Sequence, residues 1–312
     1  MRTNKRILLI IVGCLIFFGL SGFAAEYFWR VHKFKQQLAQ RELFWLALGD
    51  KIKSAVFDFN QETGLLIKDC SSGWEISVNK EKLFPSASLV KVPIMASVFS
   101  ASAENYLDLR SLITLDNRSK VSGSGILKNY ASGLEFDIEK LTEIMVTESD
   151  NTAANMLIDY LGFDALNDYF RRLGLNNTNI VRKMMDFTSR KNGLENYTSA
   201  EDLGYLLEQI YFDKLINKDF SRRCMEILKK QKIRDRIPAR LPAGAQVAHK
   251  TGLERYVCHD VGIVFTSHGD FIICVLTKHN YKVSFPAKKF ISKIARDVYV
   301  AYQSDKMIYP KM

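Results

Sequence analysis

The spacing of apolar and polar positions changes several times along this chain of 312 residues, and each change predicts an element. Residues 7–25 carry no charge and are mostly apolar. As a helix rising about 1.5 Å per residue they would span roughly 28 Å, close to the hydrocarbon core of a bilayer. Residues 34–48 mix apolar and charged positions at helical spacing and predict a juxtamembrane helix. Residues 55–60 and 65–69 read as strands of a hairpin around Gln61-Glu62-Thr63-Gly64, and 74–78 adds an alternating run. From Ser88 to about Ser102 the pattern turns helical. Helical spacing returns in 141–147, 152–161, 165–173, 200–212 and 220–230, with Gly174 a stop signal. Strand-like runs reappear at 247–251, 261–266 and 271–277, with Ser267-His268-Gly269-Asp270 as a tight turn. A last helix is expected over 288–302.

Strands near both ends with helices between them predict an α/β (α+β) domain. Its antiparallel sheet is built from both chain ends and flanked by helices, with an all-helical subdomain inserted. The expected organisation is a signal-anchor or transmembrane segment at 1–29, a juxtamembrane helix at 30–50 and one domain at 51–306. The roughly 250 residues after the N-terminal segment suffice for a full core. Hydrophobic residues make up 47% and charged residues 25%, a globular balance. The net charge of +10 is spread along the chain without a nucleic-acid-binding motif. That argues against nucleic acid and for an anionic envelope surface or anionic substrates.

The N-terminus has three readings. Arg2, Lys5 and Arg6 precede the apolar run, and Tyr27, Phe28 and Trp29 follow it as an interfacial belt would. An uncleaved anchor fits its length best. A signal peptide cleaved near Gly22 and Ala24, giving a secreted or periplasmic protein, is the alternative. Lipidation at Cys14 is disfavoured because the chain stays apolar beyond it. The position behind basic residues argues against a core helix. Arg30, Lys33 and Lys35 weaken the charge asymmetry that would fix orientation. Cys70, Cys224, Cys258 and Cys274 lie beyond this segment, enough for disulfides in an oxidising compartment. Their spacing shows no metal pattern, and Cys258 and Cys274 read as buried fillers in strands. No metal and no cofactor are expected, and a monomer is. His249 and His259 read as structural.

Three short motifs bring in the chemistry: Ser88-Leu89-Val90-Lys91, Ser149-Asp150-Asn151 and Lys250-Thr251-Gly252. Each alone is weak, whereas the ordered set is specific. A serine hydroxyl needs a neighbouring base to act as a nucleophile at neutral pH. Residues three apart share a helix face, which puts Lys91 beside Ser88. Burial and a second cation, such as Lys250, would lower the lysine's pKa enough to let it take a proton. Ser149 could relay that proton to a leaving nitrogen. Asn151 offers an amide to a substrate carbonyl, Lys250 and Thr251 suit a carboxylate, and Gly252 removes bulk where substrate lies against a strand.

With their surroundings, these motifs resemble the class A β-lactamase family. Phe84-Pro85-Ser86-Ala87-Ser88 resembles that family's entry into the nucleophile helix, and Ser122-Gly123-Ser124-Gly125-Ile126-Leu127 its segment between the first two motifs. Ala239-Arg240-Leu241-Pro242-Ala243-Gly244, Val247-Ala248-His249-Lys250-Thr251-Gly252 and His259-Asp260-Val261-Gly262 resemble its third-motif strands. The likeness runs from about Lys53 to near Tyr302. It implies an extracytoplasmic enzyme with Ser88 as nucleophile, Lys91 as general base and Ser149 as proton relay. Asn151, Lys250 and Thr251 would bind substrate, and the backbone N–H groups of Ser88 and Leu253 would form the oxyanion hole. The implied substrate is a small molecule, a β-lactam or a cell-wall peptide.

One departure stands out. The family carries a glutamate two residues beyond an arginine, and that glutamate activates the water for deacylation. Here Arg182 is followed by Lys183 and Met184. A thioether cannot accept a proton from water. Asp186 would need another loop path, and Glu195 reads as a solvated loop charge. The sequence therefore predicts acylation without fast release. That leaves a hydrolase, a slow-releasing penicillin-binding protein or D,D-peptidase-like enzyme, or a non-turnover binder.

Overall fold

A computed structural model describes residues 2–304, with side chains from Phe23 onward apart from those at 24, 25, 37 and 38. The chain divides into a unit of Met1–Lys51 and a unit of Ile52–Met312. Helix α1 (Arg2–Phe59) covers the stretch read as juxtamembrane and continues through residues 55–59, where a strand was expected. The reason is periodicity. Ile52 is buried and Ala55, Val56 and Phe59 are half-buried, at helical intervals, while Phe57 is 82% exposed. Phe59 stacks on Phe290 at 4.0 Å between ring centroids. Asn60 then ends the helix with φ +49. The apolar run at 7–25 lies, apart from Phe23, outside the residues whose side chains are described. Among the described residues no helix is long and apolar enough to cross a membrane.

The strands are β1 (Glu62–Asp69), β2 (Glu75–Val78), β3 (Phe84–Pro85), β4 (Leu112–Thr114), β5 (Glu135–Asp137), β6 (Tyr197–Thr198), β7 (Val247–Glu254), β8 (Val257–Val264) and β9 (Phe271–Lys278). Between and after them run α2 (Lys91–Ala103), α3 (Ile138–Thr147), α4 (Asn151–Leu161), α5 (Phe163–Arg172), α6 (Phe187–Lys191), α7 (Ala200–Tyr211), α8 (Lys218–Lys229) and α9 (Phe285–Ser304). The main sheet is antiparallel, ordered β2-β1-β9-β8-β7, so both ends of the domain supply it. Helices α2 to α8 come from the middle of the chain, as the α+β reading expected. Pairs β3–β6 and β4–β5 and the five-residue α6 are too short to carry a readable period.

Side chains alternate across a strand, and β1 shows which helix covers which face. Leu66 packs where Gly204 of α7 has no side chain: a Cβ there would lie 2.9 Å from a Leu66 methyl. Lys68 pairs with Glu208 of α7 at 2.7 Å. Asp69, on the other face, accepts a hydrogen bond from Tyr302 of α9 at 2.6 Å. With helices on both faces, β8 is buried along its whole length, and its two polar residues, His259 and Asp260, are buried with hydrogen-bond partners. Register fixes the next step. Leu66 sits opposite Cys274, Cys274 opposite Val261, and Val261 opposite Lys250. Lys250 therefore points from edge strand β7 to the α7 side. Cys70, Cys224, Cys258 and Cys274 are all buried free thiols rather than disulfide partners.

Candidate active site

The chain enters the site along β3. Ser86 N–H donates to the Asn196 carbonyl at 2.7 Å, and Ala87 takes φ +45. Holding a non-glycine residue there costs about 1–3 kcal/mol, which the surrounding structure must offset. A 3₁₀ turn, Ala87–Val90, then presents Ser88 at the start of α2, with Lys91 one turn on. Ser149 takes φ +52 between α3 and α4, and Asp150 caps α4 by accepting from Ala153 N–H at 2.9 Å.

These segments meet at the Lys91 ammonium. Lys91 Nζ donates to Ser88 Oγ at 3.2 Å, to the Ser149 carbonyl at 2.7 Å and to Asn151 Oδ1 at 2.8 Å, with Ser149 Oγ at 3.5 Å. From β7, Lys250 Nζ donates to Ser149 Oγ at 2.9 Å and to the Thr251 carbonyl at 2.9 Å. Ser149 Oγ thus stands between two lysines that are both wholly buried. Burial lowers Lys91 to about 7, although Asp150 and Glu254 act in the opposite direction. Lys250 is lowered well below an ordinary lysine by burial, then by repulsion from Lys91 and Arg236, against the attraction of Asp260. An amine able to lose its proton near neutrality beside a hydroxyl is the arrangement general-base activation requires.

Gly252 lies across from the nucleophile turn. A Cβ there would come within 3.1 Å of Leu89 Cγ and 3.3 Å of the Ser86 carbonyl oxygen. Leu253, next along β7, is 44% exposed. The structure therefore gathers Ser88, Lys91, Ser149, Asn151 and Lys250 through direct hydrogen bonds, and sets Thr251, Gly252 and Leu253 along the facing strand.

The segment from Ser122 to Leu127 has a physical role the motifs did not reveal. Its backbone holds the second motif in place. The Ser122 carbonyl accepts from Asn151 Nδ2 at 3.2 Å and the Ser124 carbonyl from Asn151 N–H at 3.1 Å. Asp150 Oδ2 accepts from Ile126 and Leu127 N–H at 2.6 and 2.8 Å. Gly125 has φ +114, and a Cβ on it would lie 2.5 Å from the Asp150 Cα. Gly125→Ala combines overpacking with an unfavourable φ and is expected to cost about 3 kcal/mol. Thermal unfolding should show Tm lower by about 8 °C.

His249 and His259 are structural, as the sequence suggested. His249 Nδ1 lies 3.0 Å from Asp260 Oδ1. His259 Nε2 meets the Pro85 carbonyl at 2.9 Å and its Nδ1 accepts from Thr277 N–H at 3.0 Å, bracing β3 against the sheet. Burial lowers His259 to about 4, so the ring is neutral at ordinary pH.

The loop after α5 corrects one expectation. Glu195 is 9% exposed rather than solvated. Its Oε1 accepts from Arg182 Nε at 2.9 Å and Nη2 at 2.6 Å. Asn196 closes the loop base by accepting from Val181 and Arg182 N–H and donating to the Arg182 carbonyl. Burial works against the Arg182 charge, but Glu254 and Glu195 more than offset it and raise its pKa. Met184 is buried, and its backbone is gripped by Asn155, with N–H to Oδ1 at 2.8 Å and carbonyl to Nδ2 at 3.1 Å. Asp186 serves as the cap of α6. Its bonds from Ser189 Oγ at 2.6 Å and Ser189 N–H at 2.9 Å lower its pKa. A carboxylate committed in this way is a poor base for water.

Two residues escaped the sequence reading. Asn155 is a polar position one helical turn after Asn151, which spacing alone could have flagged. Arg236 is 1% exposed and sits near enough to Lys250 to repel it. Its Nε donates to Cys258 Sγ at 3.2 Å. Nothing in its local sequence, among Arg234 and Arg240, singles it out.

The family model for the Beta-lactamase enzyme family matches residues 47–302. The chain belongs to that family. It is 25% identical to the extended-spectrum β-lactamase PER-1 of Pseudomonas aeruginosa, covering 81% of this chain and 86% of that one. Among solved structures, a β-lactamase from Sphaerobacter thermophilus is 29% identical with a TM-score of 0.75, covering 81% and 96% of the two chains. A protein named PBP-A is 30% identical with a TM-score of 0.75, covering 82% and 96%. A leucine-to-glutamate variant of PBP-A has been solved as an acyl-enzyme complex with penicillin G.

Proposed function

We propose that this member of the β-lactamase family is a membrane-anchored serine hydrolase that opens β-lactam amides through an acyl-enzyme on Ser88. The observation that carries this reading is the one ammonium, on Lys91, that reaches Ser88 Oγ, the Ser149 carbonyl and Asn151 Oδ1 together. Neutral Lys91 takes the Ser88 proton as Oγ attacks the carbonyl carbon. The backbone N–H groups of Ser88 and Leu253 hold the oxyanion, each worth about 100- to 1000-fold in rate. The C–N bond breaks, and the nitrogen takes a proton from Ser149, which is resupplied from the Lys91 side. Asn151 binds the substrate carbonyl. Lys250 and Thr251 bind its carboxylate with Arg236 adding positive charge behind them, and Gly252 leaves room along β7. Water then releases the product.

A second reading shares the acylation step: a penicillin-binding or D,D-peptidase-like enzyme that releases slowly, or a binder that stays acylated. Met184 favours it, as does the similarity to PBP-A. The proposed organisation keeps residues 1–29 as the anchor, 30–50 as the juxtamembrane helix and 51–306 as an extracytoplasmic domain acting as a monomer. Tyr27, Phe28 and Trp29 are all at least 59% exposed, and Lys33 lies 5.0 Å above the Trp29 ring, which suits an interfacial belt. A secreted or periplasmic protein after signal cleavage is the alternative.

The test is to mix the protein with a chromogenic cephalosporin and follow both product and intact mass. Steady turnover supports the hydrolase, and a single burst with a lasting adduct on Ser88 supports the second reading. The appearance of neither product nor adduct overturns both.

The acylation rate should rise with pH through about 7, because only neutral Lys91 accepts the proton. Stopped-flow rates between pH 5 and 9 check this, and a flat profile argues against Lys91 as base. Stability should follow the same direction. An unfolded lysine keeps its proton until roughly pH 10.4. Between about 7 and there the unfolded state binds more protons, so stability increases with pH. Lys250 acts in the same sense. Urea midpoints at pH 7 and 9 measure it.

A further inference from the structure

Met185 sits beside the site with a thioether that the acylation chemistry does not use. Its backbone takes φ +67, which a non-glycine residue holds only where its surroundings fix it. The loop around it is fixed on two sides. Asn155 grips the Met184 backbone, with N–H to Oδ1 at 2.8 Å. Glu254, the last residue of β7, accepts from Arg182 Nη2 at 3.2 Å and from Arg190 Nη1 at 2.8 Å. Met185 is half-buried and lines a cavity of about 200 Å³ with Val121, Asn155 and Met184.

The Met185 thioether packs against Gly123. A Cβ on that glycine would lie 3.0 Å from Met185 Sδ, 3.3 Å from Met185 Cε and 2.7 Å from Asn151 Nδ2. The space beside the Gly123 α-carbon is thus filled from two sides, by the thioether and by the amide of the second motif. The Gly123 carbonyl is itself held by Lys128 Nζ. On either side of it, the Ser122 and Ser124 carbonyls accept from Asn151, and Asn151 Oδ1 accepts from Lys91 Nζ at 2.8 Å. One chain of contacts therefore runs from Met185 Sδ through the 122–124 backbone and Asn151 to the Lys91 ammonium.

Peroxides oxidise thioethers to sulfoxides, and the product is polar where the thioether was apolar. The thiols compete poorly. Burial raises the pKa of Cys70, Cys224, Cys258 and Cys274, which keeps the reactive thiolate scarce. Met184 is 4% exposed. The cavity beside Met185 far exceeds the roughly 30 Å³ that a water occupies, so a peroxide fits there. An oxygen added to Sδ has little room against Gly123, and the loop behind it is tied on both sides. We propose that Met185 is an oxidative modification site: its sulfoxide displaces the 122–124 backbone and with it Asn151, and so slows acylation of Ser88. In that step Sδ attacks one oxygen of hydrogen peroxide, the O–O bond breaks, and the other oxygen leaves as water with both hydrogens. The sulfur is oxidised by two electrons and the peroxide is reduced by two. The proposal rests on the reading of Ser88 as the acylated residue. Misplacing a reacting group by about 1 Å can cost about 100-fold, so a smaller shift at Asn151 should slow acylation by about tenfold.

The full-length chain is treated with hydrogen peroxide, and peptide mapping locates each added oxygen. Acylation by benzylpenicillin is then read as a second-order rate constant, from adduct growth or, where release is fast, from product formation at low substrate. Met185→Leu keeps the volume and removes the sulfur. The expected result is one added oxygen at Met185, acylation about tenfold slower in the parent chain, and a rate within about twofold of the untreated one in the leucine variant. Methionine sulfoxide reductases should restore the parent rate, and that repair decides the matter if the leucine variant does not fold. The variant also separates Met185 from Met225 of α8, which is half-buried too. A parent chain that carries the sulfoxide at Met185 and acylates at its old rate overturns the proposal. So does a leucine variant slowed as much as the parent, or a Met185 left unoxidised while Met225 is modified. If the untreated parent gives neither adduct nor product, the reading of Ser88 fails instead, and the peptide map still tests the modification by itself.

Discussion

Ser88→Ala is expected to abolish the covalent adduct and to lower any β-lactam opening by at least about 10⁴-fold, the scale on which loss of a nucleophile is felt. The size of the effect follows from the geometry. Lys91 Nζ lies 3.2 Å from Ser88 Oγ, and the proton it would take in acylation comes from that oxygen. With an alanine methyl in its place, the base has nothing to deprotonate and the oxyanion donors have no tetrahedral intermediate to hold. The hydroxyl is small and Ser88 keeps little surface exposed, so fold and stability should change little. Intact mass after incubation with penicillin, beside a thermal melt, separates the two effects. A full-rate adduct on the alanine variant would place the nucleophile elsewhere.

Met184→Glu is expected to speed release of the acyl-enzyme by about 100-fold or more, the usual contribution of a positioned general base. The residue lies on a loop whose path is already fixed by Asn155, Asn196 and the Arg182–Glu195 pair. The new side chain therefore enters a defined place. A cavity of about 200 Å³ bordered by Val121, Asn155, Met184 and Met185 offers space for a carboxylate and a water. Burial would also raise the pKa of the new carboxyl, toward the range a general base needs near neutrality. The measurement is the decay of a preformed adduct after excess β-lactam is removed, in parent and variant. An unchanged lifetime would mean that Met184 does not face the acyl carbonyl and that the register of this loop differs from the family's.

Much of the site was legible because its motifs are local. Ser88 and Lys91 are one helical turn apart, and Ser149-Asp150-Asn151 is a helix start with its own cap, so neighbouring residues alone define their geometry. The antiparallel sheet, its two-ended origin and the helical insertion followed from the order of strand and helix periods. Where period was ambiguous, reading failed. Residues 55–59 alternate over too few positions to tell a strand from the end of a helix, and only the burial of Ile52 and the stacking of Phe59 on Phe290 make the distinction. Glu195 looked like a loop charge because its partners stand 13 residues back, at Arg182, and at Arg190.

By itself, the sequence determined which groups could do chemistry: a serine, two lysines, a second serine and an asparagine in fixed order, and a methionine where a base would be. The tertiary structure decided that Lys250 reaches Ser149, that Arg236 stands behind it, and that Glu254 ties the loop to β7. These are matters of strand register and of contacts between segments 14 to 101 residues apart. A local pattern fixes the backbone of one element, whereas register and shared burial are properties of several elements packed together.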